Sequence, residues 1–126
     1  MDHSADNPIT LAFLGDAVYE LYVRRHVMDK VKGADLLHRR AVSYVKAPAQ
    51  AAIVKSLLPQ LSETETGVVK RARNHKTATK AKNATAVEYK LATGFEALIG
   101  YLYLSGQQER LEEIISESFR IIEEEN

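Results

Sequence analysis

Apolar residues recur at intervals of three and four along the first part of the chain, at Ile9, Leu11, Phe13, Leu14, Val18, Leu21, Tyr22 and Val27. That is the period of an α-helix, here one of roughly 20 residues. Asn7-Pro8 marks its start, because Asn caps free N–H groups and Pro tolerates the first helical position. Gly33 interrupts the chain, and Leu36, Leu37, Ala41, Val42 and Val45 predict a second helix over 34–46. Ala47-Pro48 restarts it in a third helix, 48–58, which Pro59 ends. Ser62-Glu63-Thr64-Glu65 reads as a capping box opening a fourth helix that runs to about Asn74. Residues 75–84 have no hydrophobic period and read as a basic loop. A long helix follows over 85–104, closed by Gly106. The last helix, 107–124, is amphipathic, with Leu111, Ile114, Ile115, Phe119 and Ile122 on one face. No strand-like alternation occurs. The expectation is one all-α domain spanning 1–126, since 126 residues suffice for a single core.

Two of these helices carry an acid in apolar surroundings. Asp16 stands within Leu11-Ala-Phe-Leu-Gly-Asp-Ala-Val-Tyr-Glu-Leu21, and Glu96 within Thr93-Gly-Phe-Glu-Ala-Leu-Ile-Gly-Tyr-Leu-Tyr103. An unpaired buried charge costs several kcal/mol, so each acid needs a partner. For Asp16 that partner is a Lys or Arg from elsewhere, or a cation shared with Glu96. For Glu96 a helix terminus or a Tyr hydroxyl serves as well. Together the acids match Mg²⁺, which takes one or two carboxylates and completes its octahedron with waters and phosphate. Glu20 lies four residues after Asp16 on the same helix face. It is either a solvated acid or a group that orients a ligand or water.

Composition narrows the chemistry. There is no cysteine, which removes disulfides, thiol redox chemistry and Cys-ligated zinc. His3, His26, His38 and His75 lack metal-ligand spacing and read as surface or capping residues. No apolar run approaches a membrane span and no signal peptide opens the chain, so a cytoplasmic location is expected. The formal net charge is zero, but the charges are segregated. Residues 70–90 hold Lys70, Arg71, Arg73, Lys76, Lys80, Lys82 and Lys90 against one acid, Glu88, whereas 107–126 hold seven Glu against two Arg. The basic stretch mixes cations with Asn and Thr and has no aromatic for base stacking up to Ala84. Backbone and 2′-hydroxyl contacts to duplex RNA suit it better than single-strand binding. A solvated loop is the plain alternative.

Phe13-Leu14-Gly15-Asp16-Ala17-Val18 with Glu20 resembles the signature helix of the ribonuclease III family. Phe95-Glu96-Ala97-Leu98-Ile99-Gly100 with Tyr103-Leu104 resembles that family's second catalytic helix. The order and separation of the segments fit as well, and no double-stranded-RNA-binding domain follows, which is similar to the short branch, mini-ribonuclease III. The resemblance implies a helical-bundle endonuclease domain acting as a homodimer. It implies Mg²⁺-dependent hydrolysis of double-stranded RNA to 5′-phosphate and 3′-hydroxyl ends, in maturation of 23S ribosomal RNA precursors. It makes Asp16 and Glu96 the catalytic, metal-holding pair, with Glu20 and Thr93 as supporting candidates and Phe13 at the dimer interface. RNA contacts are then expected from Lys70, Arg71, Arg73, Asn74, Lys76, Thr77, Lys80 and Lys82. Longer members carry acids where this chain has Ala12 and Thr93, so a weaker metal site is expected. Those losses also motivate two alternatives: a non-catalytic RNA-binding or ribosome-assembly factor, and a helical protein-interaction module.

Overall fold

A computed structural model describes residues 2–75 and 85–125. The described residues form six α-helices: α1 (Pro8–Met28), α2 (Ala34–Val45), α3 (Ala47–Leu57), α4 (Glu63–Asn74), α5 (Ala86–Leu104) and α6 (Gln108–Glu125). No strand occurs among the described residues. The Asn7 side chain accepts hydrogen bonds from the Ile9 and Thr10 N–H groups, and the Ser62–Glu65 capping box is formed. A second capping box, Thr85 with Glu88, starts α5. The third helix ends at Leu57, just ahead of Pro59. That proline sits in one 3₁₀ turn, Leu58–Gln60, that tightens the exit from α3.

Helix α5 is the axis of the fold. Every residue from Ala97 to Leu102 is buried, with α1, α3 and α4 packed along it. Such burial requires an apolar circumference, which Leu91, Phe95, Leu98, Ile99 and Leu102 supply. The Tyr19 and Phe95 rings meet edge to face at 4.9 Å across α1 and α5. Helix α6 lies over α3 and α5 with Leu111, Ile114, Ile115, Phe119 and Ile122 turned inward.

Two polar clusters fix α6. Arg110 forms a fork on Glu65, with Nε and Nη2 each 2.9 Å from a carboxylate oxygen, and Nη2 also donates to the Gln60 carbonyl. This bond holds the buried Glu65 carboxyl below its usual range. At the other end, Glu123 takes a bond from the Tyr44 hydroxyl at 2.7 Å and lies 2.6 Å from His26 Nε2. The His26 ring stacks on Phe119 at 4.4 Å. His26 is therefore a partly buried tie between α1 and α6, in contrast to the surface or capping role expected for it; its partner lies 97 residues away.

Helix α1 is apolar on two faces but covered on one. Leu11, Tyr19, Val23 and Val27 enter the core, whereas Phe13 is 81% exposed and Leu21 61%. Tyr103 and Leu104 at the end of α5 are exposed as well.

Candidate active site

Two glycines bring the acids together. A Cβ on Gly15 would stand 1.7 Å from the Glu96 carbonyl oxygen, and one on Gly100 2.0 Å from the Leu11 carbonyl oxygen. Only hydrogen fits at either place, so α1 and α5 cross backbone against backbone. Asp16 directly follows Gly15, and Glu96 lies one turn before Gly100. The crossing therefore brings both to one cleft, close enough for the charge of Asp16 to act on Glu96. The sequence carried a signal for this arrangement. Glycine inside a helix costs about 1 kcal/mol relative to alanine, so its presence there needs a packing reason.

Both acids open into a cleft of about 210 Å³. Ile9, Ala12, Phe13 and Asp16 of α1 form one wall and Tyr89, Lys90, Thr93 and Glu96 of α5 another, while Ala72 and His75 close the end beside α4. Ala12 and Thr93, the two departures from the longer enzymes, thus face the space that Asp16 and Glu96 face.

The two carboxylates differ in environment. Asp16 is exposed, contrary to the apolar enclosure expected of it, because the apolar residues around it in sequence include the outward-facing Phe13, Ala17 and Leu21. Glu96 is half-buried. Burial first, and then the charge of Asp16, push its carboxyl up to about 8; the Gln50 side chain acts in the opposite direction. Neither acid has a Lys or Arg partner among the described residues. The proton that Glu96 keeps at neutral pH relieves the like-charge repulsion of the pair, and a divalent cation held by both carboxylates would take that proton's place. No group of three or more His, Asp and Glu able to hold a metal occurs among the described residues. A donor set of two carboxylates suits a hard cation that keeps most of its waters.

The supporting candidates divide. The Thr93 hydroxyl lies in the cleft but donates to the Tyr89 carbonyl at 3.0 Å, leaving only its lone pairs for a water. Glu20 accepts from Arg24 at 3.2 Å and borders a different groove, between α1 and α2, although its charge reaches Glu96. Of the RNA-contact candidates, Lys70, Arg71, Arg73 and Asn74 sit on α4, whose C-terminal end borders the cleft. Arg71 reaches the Ser4 carbonyl, and Arg73 Nε donates to Asn74 Oδ1 at 3.2 Å. Lys76, Thr77, Lys80 and Lys82 lie outside the described residues.

Sequence reasoning missed three residues here. Lys90 and His75 bring cationic or titratable groups into the cleft. Gln50 is a 2% exposed amide on α3 that donates to the Val45 carbonyl at 2.8 Å and acts to lower the Glu96 carboxyl. A Gln in Ala47-Pro-Ala-Gln-Ala-Ala-Ile-Val54, where every neighbour is small or apolar, was the available sign.

The Ribonuclease III domain family matches residues 9–107. A "Mini-ribonuclease 3" of Brevibacillus brevis is 50% identical over 126 residues, covering 99% of this chain and 94% of that protein. One from Symbiobacterium thermophilum is 51% identical over 118 residues, covering 92% and 90%. A crystal structure of a Fusobacterium nucleatum protein superposes with a TM-score of 0.85 at 33% identity, covering 95% of this chain and 98% of that one. With its domain match spanning both acid-bearing helices and its relatives similar from end to end, the chain belongs to the ribonuclease III family, in the Mini-ribonuclease 3 group.

Proposed function

We propose that this protein is a Mg²⁺-dependent endoribonuclease that hydrolyses double-stranded RNA, leaving 5′-phosphate and 3′-hydroxyl ends, and that its substrate is the 23S ribosomal RNA precursor. The observation that carries the reading is the Asp16–Glu96 pair. Two carboxylates with no Lys or Arg ion-pair partner among the described residues share a cleft at a helix crossing, beside a helix end rich in Lys and Arg. Asp16 and Glu96 would hold the cation. When bound, it neutralises charge on a phosphate and lowers the pKa of water to make the nucleophile. Asp16, being exposed, meets the incoming phosphodiester; Glu96, set deeper, is fixed by its surroundings. Lys70, Arg71 and Arg73 grip the duplex backbone, which makes affinity strongly salt-dependent. The chain acts as a homodimer through the apolar face of α1. Phe13, at 81% exposed, is the centre of that face, and pairing two copies there places two clefts on one duplex. No described helix is long and apolar enough to cross a membrane, which agrees with a cytoplasmic site of action.

The shortage of acids favours a second reading, an RNA-binding or ribosome-assembly factor without cleavage. A cleavage assay on perfect duplex RNA with Mg²⁺ separates the two, with the wild type beside Asp16→Asn. Cutting by the wild type alone supports the nuclease. No cutting by either, with binding retained, supports the factor.

A further inference from the structure

We propose that Lys90 is the phosphate seat of the acid cleft: its ammonium takes the phosphodiester beside the one that meets Asp16 and Glu96, and so holds the RNA strand in line with the pair. This rests on the reading of the cleft as a nuclease site.

Lys90 is the single cation among the 19 residues of α5, and it lines the cleft together with Thr93 and Glu96. The three stand at intervals of three on one face of the helix. The stripe therefore runs from ammonium through hydroxyl to carboxylate over about 9 Å of helix axis. Nothing in the helix itself accounts for a cation at this place. The positions that could pair with it, three and four residues away, are Ala86, Val87, Thr93 and Gly94. The helix dipole favours acids in the opening turns, as at Glu88, and gives a lysine there no gain. Lys90 is exposed and enters no ion pair among the described residues, with Asp16 and Glu96 or with any other acid. In this it differs from Arg71 and Arg73 of α4, which already hold the Ser4 carbonyl and the Asn74 side chain.

The surrounding groups cannot take its place. The Thr93 hydroxyl donates to the Tyr89 carbonyl at 3.0 Å, so it turns only lone pairs to the cleft. Ionised carboxylates likewise only accept, whereas an ammonium has three donors and no acceptor. On the facing wall Ile9, Ala12 and Phe13 are apolar. A phosphate brings acceptors alone, and among the described residues of the α1 and α5 walls Lys90 is the one full positive charge that it meets. The cleft is thus divided, with a carboxylate end that suits a cation and an ammonium end that suits an anion. The helical turns between the two ends keep the ammonium off the acids and leave it for the next phosphate along the strand.

The test is binding of a fluorescein-labelled perfect RNA duplex in EDTA over a range of NaCl concentrations, followed by anisotropy. It compares the wild type with Lys90→Gln and Lys90→Arg, and uses Lys55→Gln on the exposed face of α3 as control. Lys90→Gln is expected to melt with the wild type, to bind more weakly and to show a salt slope shallower by about 1 for each cleft engaged. Lys90→Arg keeps the charge and the wild-type slope. In Mg²⁺, Lys90→Gln raises KM and leaves kcat nearly unchanged, since a neighbouring phosphate is held equally before and at the transition state. A wild-type slope in Lys90→Gln would overturn the proposal. So would an equal change in Lys55→Gln, which marks a diffuse field in place of a seat. A fall in kcat at constant KM overturns it too, because Lys90 then acts on the reacting phosphate. The binding arm needs no cleavage: a wild type that binds without cutting, with the slope change present, counts against the nuclease reading alone.

Discussion

The crossing of α1 and α5 makes Gly15→Ala the most informative single change. The added Cβ would lie 1.7 Å from the Glu96 carbonyl oxygen, 2.7 Å from its carbon and 2.8 Å from the Gly100 nitrogen. Carbon and oxygen in contact need about 3.3–3.6 Å, so the two backbones must part by more than about 1.5 Å. Overpacking commonly costs about 1–3 kcal/mol. Here both sides are main chain and no side chain can yield, which puts the cost at the upper end. Alanine recovers about 1 kcal/mol through its better helix propensity, leaving a net loss of about 2 kcal/mol. An unfolding entropy of about 2.1 cal/mol/K per residue over 126 residues converts that to a melting temperature lower by about 8 °C. The same displacement separates Asp16 from Glu96, and an error of about 1 Å at reacting groups costs about 100-fold in rate. Gly67→Ala is the matched control. It is also a helix-interior glycine, but its Cβ would meet only Arg71 Nη1 at 3.4 Å, so it gains up to about 1 kcal/mol. The assay is thermal unfolding by circular dichroism, with duplex cleavage measured at 20 °C below each midpoint. A Gly15→Ala protein melting with the wild type would refute the close crossing.

Other perturbations have equally definite outcomes. The Glu96 carboxyl titrates near 8 in the fold against an ordinary 4.5, so its folded form binds the proton more tightly. In EDTA, wild-type stability should therefore fall relative to Glu96→Gln as pH rises from about 5 to 8, by at most about 1.4 kcal/mol per pH unit; parallel stability curves would show that Glu96 titrates normally. Arg110→Ala leaves the buried Glu65 carboxylate without its cation. The loss should be about 2 kcal/mol in urea titrations, less than for a fully enclosed pair because Arg110 is 31% exposed. Phe13→Asp puts a charge at the centre of the exposed α1 face and should yield a folded monomer by analytical ultracentrifugation; an unchanged mass would remove this face from the dimer.

How far the sequence revealed this molecule depended on the range of each interaction. Asn7-Pro8 and Ser62–Glu65 were readable because a cap is completed within four residues of itself. The 3₁₀ turn at Pro59 was not, since Pro forbids a helix interior without choosing what replaces it. Asp16 and Glu96 stand out in the sequence and the fold brings both to one cleft, but Asp16 lies in the open where an apolar enclosure was expected. A helix apolar on two faces looks buried all round, and nothing local distinguishes the face that the fold covers, with Tyr19 and Val23, from the one it leaves open, with Phe13 and Leu21. Gln50 and His26 were out of reach for a different reason. Each is defined by a partner on another helix, the Val45 carbonyl for one and Glu123 for the other, and neither distance along the chain nor residue type announces the pairing.

The glycine crossing also decides where in the molecule the chemistry sits on the scale of local opening. Main-chain amides exchange with solvent slowly where they belong to the last structure to come apart. Helices α1 and α5 share the most extensive interface in the fold, and both acids ride on its tightest point. The amides around Asp16 and Glu96 are then expected to exchange through global unfolding, as a hydrogen-exchange measurement would read. No partial opening can disarm the pair while leaving the rest of the helices folded. Heat inactivation and loss of helix become one event, read identically by an activity assay and by hydrogen exchange.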